Sequence, residues 1–80
     1  MAKKVILSKK PTSNIISDAK IFGDFVKHKR TSLGLSLEET AALCNVNHLT
    51  LKKLESGNEG TRLSTALKIS KMLGLKTFVE

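Results

Sequence analysis

The segment from Asn45 to Gly57, NVNHLTLKKLESG, carries side chains suited to binding a polyanion. Its basic and polar residues fall on one side of a predicted helix, and Val46, Leu51 and Leu54 fall on the other. Lysine and histidine side chains can donate hydrogen bonds to guanine O6 and N7, and lysines also bind phosphate oxygens. The segment therefore predicts a helix able to enter the major groove of DNA, with a solvated surface helix as the simplest alternative.

No constellation of residues in the sequence predicts catalysis or metal binding. The sequence contains no glycine-rich phosphate loop, no nucleophile beside a base and no carboxylate dyad. Glu38 and Glu39 are adjacent and would diverge by about 100° on a helix. His28 and His48 are 20 residues apart, with no cysteine or carboxylate at ligand spacing. We therefore expect neither an enzyme nor a metal or cofactor site.

Composition describes a small, basic, globular chain. Its 80 residues make one domain, near the lower size at which an apolar core sustains a fold. The net charge is +7, of which residues 1–17 carry +4, so residues 18–80 carry only +3. A basic balance favours a polyanionic partner, but this distribution means that charge alone does not establish one.

The sequence favours a cytoplasmic location. Cys44 is the only cysteine, which excludes an intramolecular disulfide and a cysteine-rich zinc site. The N-terminal apolar stretch VIL is too short for a signal peptide, and no apolar run approaches the roughly 18 residues of a membrane span. We expect no membrane partner.

Capping residues mark the first three predicted helices. Ser17 or Asp18 can cap the first, which ends near Gly34 and has an apolar stripe of Ile21, Phe22, Phe25 and Val26. A capping box of Ser36 and Glu39 opens the second, which continues through Cys44. The chain turns at Asn45, which tolerates the left-handed backbone, and Asn47 caps the third helix. Two short helices joined in this way form a helix-turn-helix.

The two ends of the chain differ from this helical middle. A fourth helix is predicted from about Leu63 to Leu73, with an inner face of Leu63, Ala66, Leu67, Ser70 and Leu73. The last residues, LKTFVE, alternate in polarity and predict a β-strand in residues 75–80. Residues 1–17 form a basic N-terminal arm, either flexible or containing a short strand KVILS.

The sequence of residues 18–73 resembles the Xre, or Cro/C1-type, helix-turn-helix repressors. FGDFVKHKRTSLGLSLEETAALCNVNHLTLKKLESG is similar to the first three helices of that family, including Arg30, the sequence GLS, Ala41 and the LES/G ending. TRLSTALKISKMLGLKTFVE further resembles HipB-type antitoxins, whose last segment is a strand paired across a dimer. The resemblance implies an all-α, lambda-repressor-like domain of four to five helices in residues 18–74, followed by a dimerisation strand in residues 75–80.

The same resemblance implies roles for particular residues. Base readers would be His48, Leu49 and Lys52, at the start of the recognition helix. Contacts to phosphates or flanking bases would come from Asn47, Thr50 and Lys53, and further phosphate contacts from Ser36, Asn58, Thr61 and Arg62. Arg30 would form a structural ion pair with Glu55. Dimer contacts are expected at Leu73, Leu75, Thr77, Phe78 and Val79.

The function that follows is a homodimeric transcriptional repressor that binds a near-palindromic operator in double-stranded DNA. Its setting would be a toxin–antitoxin operon, with a HipA-like kinase toxin as a second partner. An alternative of a different class is a protein-interaction module that holds a toxin through Leu37, Leu43 and Leu49, with DNA binding weak or secondary. A gel-shift series against salt separates the two, because DNA binding weakens steeply with salt and an apolar contact does not.

Overall fold

The computed structural model describes residues 5–12 and 15–78. Within these ranges the chain forms four helices, which are α1 (Ala19–Ser32), α2 (Leu37–Cys44), α3 (His48–Glu55) and α4 (Leu63–Met72). The predicted all-α helix-turn-helix domain is confirmed, with α2 and α3 as its two helices. None of these helices combines the length and the apolar character needed to span a membrane.

Side chains cap the first three helices as the sequence predicts. The Asp18 carboxylate accepts a hydrogen bond from the Ile21 N–H at 2.8 Å, and the Asn47 side chain accepts one from the Leu49 N–H at 2.8 Å. At the start of α2, the Ser36 hydroxyl accepts from the Glu39 N–H at 3.1 Å, while the Glu39 carboxylate accepts from the Ser36 N–H at 2.8 Å. These bonds from Ser36 lower the pKa of Glu39. Each cap fixes where its helix begins.

Asn45 makes the turn between α2 and α3 by adopting the left-handed conformation, with φ 54° and ψ 46°. Among the described residues it is the only one other than glycine with a positive φ. This conformation allows the Val46 N–H to donate to the Ala41 carbonyl at 3.0 Å and places the Val46 side chain against the core. The turn therefore closes α2 and redirects the chain into α3 within three residues.

The core lies where all four helices meet. Val26 of α1, Leu51 of α3 and Ile69 of α4 are completely buried. The other buried apolar residues of the core are Ala41, Cys44, Leu54, Ala66 and Leu73. Burial raises the pKa of the Cys44 thiol, so this side chain is a neutral, small apolar residue in the core.

Gly23 allows α1 to approach the end of α3 more closely than any other residue would. A Cβ atom at this position would lie 2.3 Å from the Leu54 carbonyl oxygen and 2.8 Å from the Glu55 carbonyl oxygen. Nothing in the local sequence pattern distinguishes a close helix crossing at Gly23 from an ordinary helical glycine. The end of α3 is thus in direct contact with the backbone of α1.

The predicted inner face of α4 is partly wrong. Ala66, Ser70 and Leu73 are buried, but Leu63 and Leu67 are 72% and 41% exposed. The completely buried residue that the prediction missed is Ile69. Because the buried stripe follows residues 66, 69, 70 and 73, its centre is rotated away from the side of the helix that carries Leu63 and Leu67.

The predicted strand of residues 75–80 does not form in residues 75–78, and residues 79–80 lie outside the described part. The Leu75 N–H instead donates to the Ser70 carbonyl at 2.9 Å, which closes the end of α4. A strand at the end of a helical chain has no edge to pair with in its own fold, so pairing would require a second chain. Residues 5–8 of the stretch KVILS also form no strand, and its first residue, Lys4, lies outside the described ranges.

Arg30 and Glu55 form a buried, two-bonded ion pair that joins α1 to α3. The Arg30 Nε atom is 2.6 Å from one carboxylate oxygen of Glu55, and Nη2 is 3.0 Å from the other. The remaining Nη1 atom donates to the Leu35 carbonyl at 2.8 Å, just before α2. Each residue is 6% exposed, so neither charge has water as a substitute partner.

Replacing Glu55 with glutamine should destabilise the domain strongly. The substitution keeps the side-chain shape but leaves the buried Arg30 guanidinium without its counter-charge, at a cost of about 3 to 5 kcal/mol. Thermal unfolding followed by circular dichroism measures the loss, which for a domain of this size lowers the midpoint by more than about 10 °C.

The exposed ion pair of Lys20 and Asp24 provides a matched control. The Lys20 Nζ atom is 2.6 Å from the Asp24 Oδ1 atom, and the two side chains are 62% and 36% exposed. Asp24→Asn removes one charge by the same chemistry and should cost no more than about 0.5 kcal/mol. Equal midpoints for Glu55→Gln and Asp24→Asn would show that the buried pair does not stabilise the fold.

Candidate nucleic-acid interface

The recognition helix α3 presents different residues to the core and to solvent. Leu51, Leu54 and Glu55 are buried, whereas His48, Leu49, Lys52 and Lys53 are exposed. The exposed basic side chains make no hydrogen bond or ion pair with other residues in the described ranges. Because the inner face is fixed in the core, these donors are available to a partner outside the chain.

Both ends of α3 are held in place by other parts of the domain. At its start, Asn47 caps the helix and follows directly on the turn at Asn45. At its end, Glu55 is bound by Arg30, and the backbone of Gly23 packs on the last carbonyls of the helix. A helix fixed in this way can place its exposed side chains reproducibly against a rigid surface such as a DNA groove.

Half of the predicted DNA-binding residues line one shallow cavity of about 460 Å³ next to α3. Lys53 and Thr50 contribute from the helix, and Asn58, Thr61 and Arg62 contribute from the loop that follows it. The Asn58 side chain accepts a hydrogen bond from the Gly60 N–H at 2.7 Å, which shapes this loop. With two cations and several hydroxyl and amide groups, the cavity has the chemistry of a phosphate-binding surface.

Thr65 and Gly60 complete this cavity and were not among the predicted residues. Thr65 lies in the first turn of α4, whose N-cap residue Arg62 makes no side-chain capping bond. The N-terminal end of a helix carries partial positive charge, so it adds to the attraction for an anion already produced by Lys53 and Arg62. The predicted start of α4 near Leu63 was the signal that could have indicated Thr65.

Ser36 lies apart from this group. It lines a different cavity, of about 470 Å³, together with Arg30, Leu37 and residues 5–8 of the N-terminal arm. Its hydroxyl already accepts a hydrogen bond from Glu39, so its remaining capacity for an anion is that of a donor.

The three leucines of the protein-interaction alternative differ in their exposure. Leu37 packs against the core and is half-buried. Leu43 and Leu49 are 57% and 53% exposed. Since Leu49 lies between the basic residues of α3, it can also contact a thymine methyl group.

The predicted dimer residues divide between the core and the surface. Leu73 is buried and Leu75 half-buried, whereas Thr77 and Phe78 are exposed, and Val79 lies outside the described part. Phe78 and Leu75 line an open apolar groove of about 600 Å³, whose other apolar residues are Ile15, Ile16, Phe22 and Phe25. The two isoleucines were not predicted to belong to this surface.

Among the described residues, the acidic side chains form no metal-binding cluster, and the acidic residue of α3 is already paired. In residues 5–12 and 15–78, no three histidine, cysteine, aspartate or glutamate side chains come together as a metal site. The acidic residue of α3 itself, Glu55, is neutralised by Arg30. The net positive face of α3 is therefore not compensated from within its own helix.

Solved structures with this fold include HipB in a complex with the O4 20-mer and HipB in a HipA–HipB–O2–O3 complex. The first matches with a TM-score of 0.76 and 22% identity, over 84% of this chain and 94% of the HipB chain. The second matches with a TM-score of 0.75 and 22% identity, over the same shares of the two chains. No curated protein sequence matches the chain.

The restriction-modification controller protein C.AhdI from Aeromonas hydrophila is also similar. Its TM-score is 0.67 and its identity is 28%, over 76% of this chain and 92% of the controller protein. At the level of sequence, residues 26–79 match the Helix-turn-helix family HTH_3. This match spans most of the chain and includes α2 and α3, the two helices of the motif. The chain therefore belongs to the Xre-type helix-turn-helix family of DNA-binding regulators.

Proposed function

We propose that this protein is a homodimeric repressor that binds a near-palindromic operator and serves as a HipB-like antitoxin beside a HipA-like toxin. The observation that carries the proposal is the recognition helix α3, which is held at both ends and exposes basic side chains that have no partner among the described residues. The fold shared with HipB, seen in complexes with a 20-mer and with HipA, supports the choice of partners.

Lys52 and Lys53 have different roles in this proposal. Only Lys53 lines the phosphate-like cavity with Asn58 and Arg62. Adjacent residues on a helix diverge by about 100°, so Lys52 points away from that cavity. It shares its face with His48, one helical turn earlier, and the two side chains are positioned to reach base edges together.

A near-palindromic operator requires two copies of the domain. Two half-sites one helical turn apart place the recognition helices about 34 Å from each other. A single chain measures 42 × 25 × 20 Å and contains one such helix. We assign the contact between copies to the groove of Phe22, Phe25, Leu75 and Phe78, because it is apolar, open and next to residues 75–78, which could pair as strands across a two-fold axis.

The protein-interaction alternative keeps one specific observation in its favour, the exposure of Leu43 and Leu49. The two functions predict a different dependence of binding affinity on salt concentration. Binding through phosphate contacts loses roughly a factor of 10³ to 10⁵ between about 50 and 200 mM salt when six to ten phosphates are involved, whereas an apolar contact changes little. A gel-shift series on a duplex selected from a randomised library distinguishes the two functions.

Alanine substitutions at Lys52 and Lys53 should have different consequences. Lys52→Ala should relax base preference at one operator position, at a cost of about 1 to 3 kcal/mol, because it removes a contact to a base edge. Lys53→Ala should weaken binding to all sequences alike and lower the salt slope by about one, because it removes a phosphate contact. Affinities measured on a set of operator variants give both quantities.

Lys71→Ala is the control for net charge, because Lys71 lies in the last turn of α4, away from the cavity beside its first turn. Lys71→Ala should leave the base preference unchanged and should change the slope of log affinity against log salt very little. Equal, sequence-blind losses for Lys52→Ala and Lys53→Ala would mean that α3 is rotated relative to this assignment.

Deleting residues 76–80 should convert the dimer to a monomer and abolish cooperative operator binding. The deletion removes Phe78 from the apolar groove together with the backbone that would pair across the two-fold axis. Sedimentation and gel shift measure the two effects. Phe78→Ala should weaken the dimer, whereas Met72→Ala, which truncates a 52% exposed residue outside the groove, should not. A truncated chain that stays dimeric places the interface elsewhere, with the stretch KVILS as the next candidate.

A further inference from the structure

The cavity beside α3 contains three threonine hydroxyls that have no partner in the described part of the chain. Thr50, Thr61 and Thr65 line this cavity, and none of their side chains makes a hydrogen bond with another described residue. All three residues are half-buried, yet in the described ranges the buried side-chain oxygen without a partner is Ser70 Oγ alone. The three threonine hydroxyls therefore reach solvent, and a group from outside the chain can bind them.

Two of these threonines hold the same position in two different helices. Thr50 is the third residue of α3, and Thr65 is the third residue of α4. Further along a helix, a threonine hydroxyl can donate to the carbonyl four residues before it, as Thr31 does to Lys27 at 2.8 Å. For Thr50 and Thr65 that carbonyl lies before the N-cap residue, so the helix does not supply this acceptor.

The charges around the cavity determine which kind of group these hydroxyls can bind. The charged residues that line it are Lys53 and Arg62, and no carboxylate of the described residues does so. Glu59 belongs to the same loop but is not one of the lining residues. Hydroxyl donors beside two cations, without a competing carboxylate, are suited to the oxygens of a phosphate group.

The threonines and the cations differ in how firmly they can hold a phosphate. The χ1 angle of threonine is restricted by its branched Cβ atom, whereas lysine and arginine have long side chains with many conformations. Thr50 and Thr65 are also half-buried, while Lys53 and Arg62 are exposed. The cations therefore attract a phosphate from a distance, and the threonines fix the position at which it binds.

We propose that the Thr50 and Thr65 hydroxyls donate hydrogen bonds to one and the same phosphate of the DNA backbone. This inference rests on the proposed function, because it assumes that α3 meets DNA. It adds Thr65, a residue that the sequence did not indicate, to the interface. Because the two donors belong to different helices, the shared phosphate connects the start of α3 to the start of α4. The pair is a threonine clamp, without charge of its own, that sets the position of α3 against the duplex.

Substitutions that keep the side-chain shape separate the hydroxyls from the charges. Phosphate contacts are blind to sequence, so a mixed-sequence DNA duplex is a sufficient probe. Thr65→Val should weaken binding about tenfold at every salt concentration, because it removes a hydrogen bond to a charged group without removing a charge. The slope of log affinity against log salt should therefore stay that of the unmodified protein. Lys53→Ala should instead lower this slope by about 0.9.

Three controls show whether the hydroxyl itself is responsible. Thr65→Ser keeps the hydroxyl and should bind DNA as the unmodified protein does. Ser64→Ala removes the hydroxyl of the neighbouring exposed residue, which does not line the cavity, and should leave binding unchanged. The thermal midpoint of Thr65→Val should equal that of the unmodified protein, because the lost hydroxyl has no partner among the described residues. A loss for Thr65→Ser as large as that for Thr65→Val would contradict the clamp.

A double-mutant cycle tests whether the two hydroxyls bind the same phosphate. Groups that bind one phosphate are coupled, whereas groups that act on separate phosphates contribute independently. Combining Thr50→Val with Thr65→Val should therefore weaken binding by clearly less than the product of the two separate losses. Losses that multiply would place the hydroxyls on different phosphates and overturn the proposal.

The outcomes separate this inference from the proposed function. If Thr65→Val bound the duplex as tightly as the unmodified protein, the threonine clamp would be wrong while DNA binding through α3 stood. If the unmodified protein bound neither the mixed-sequence duplex nor a selected site in a salt-dependent way, the proposed function would fail and the clamp with it.

Discussion

The orientation of the recognition helix depends on one buried guanidinium. Arg30 binds both carboxylate oxygens of Glu55 at the end of α3 and the carbonyl of Leu35 before α2, so a single side chain joins α1 to both helices of the motif. Burying two charges is costly, and an apolar pair could stabilise a core equally well. The ion pair also restricts the orientation of α3, because its two parallel hydrogen bonds form only within a narrow range of positions of that helix.

Two further contacts, the Asn47 cap and the close packing at Gly23, also hold α3 in place. Asn47 fixes where α3 begins, and Gly23 permits the backbone of α1 to touch its last carbonyls. With three independent constraints on eight residues, the outer face of α3 needs no interaction of its own for stability. The side chains of His48, Lys52 and Lys53 can therefore remain without partners among residues 5–12 and 15–78, and the packing of the core sets the orientation of the surface that they form.

The sequence predicted best what local chemistry decides. The caps at Asp18, Ser36 and Asn47 and the left-handed turn at Asn45 each depend on a few neighbouring residues, and all four are confirmed. Contacts between segments distant in the sequence were harder to predict from the sequence. The exposure of Leu63 and Leu67 depends on the rotation of α4 against the other helices, and the close approach at Gly23 depends on where two helices cross. Strand formation after Leu75 requires an edge that one chain does not offer.

The charges of this chain divide into two sets that respond differently to salt. The pair of Arg30 and Glu55 is buried and bonded, so dissolved ions hardly screen it. The exposed cations of α3 are accessible to dissolved ions, and the attraction of such cations to phosphates falls as salt rises. Salt can therefore weaken DNA binding while the geometry of the recognition helix remains intact. A domain with this division can release a polyanion without unfolding, because the interaction that orients its recognition helix is not the interaction that attracts the partner.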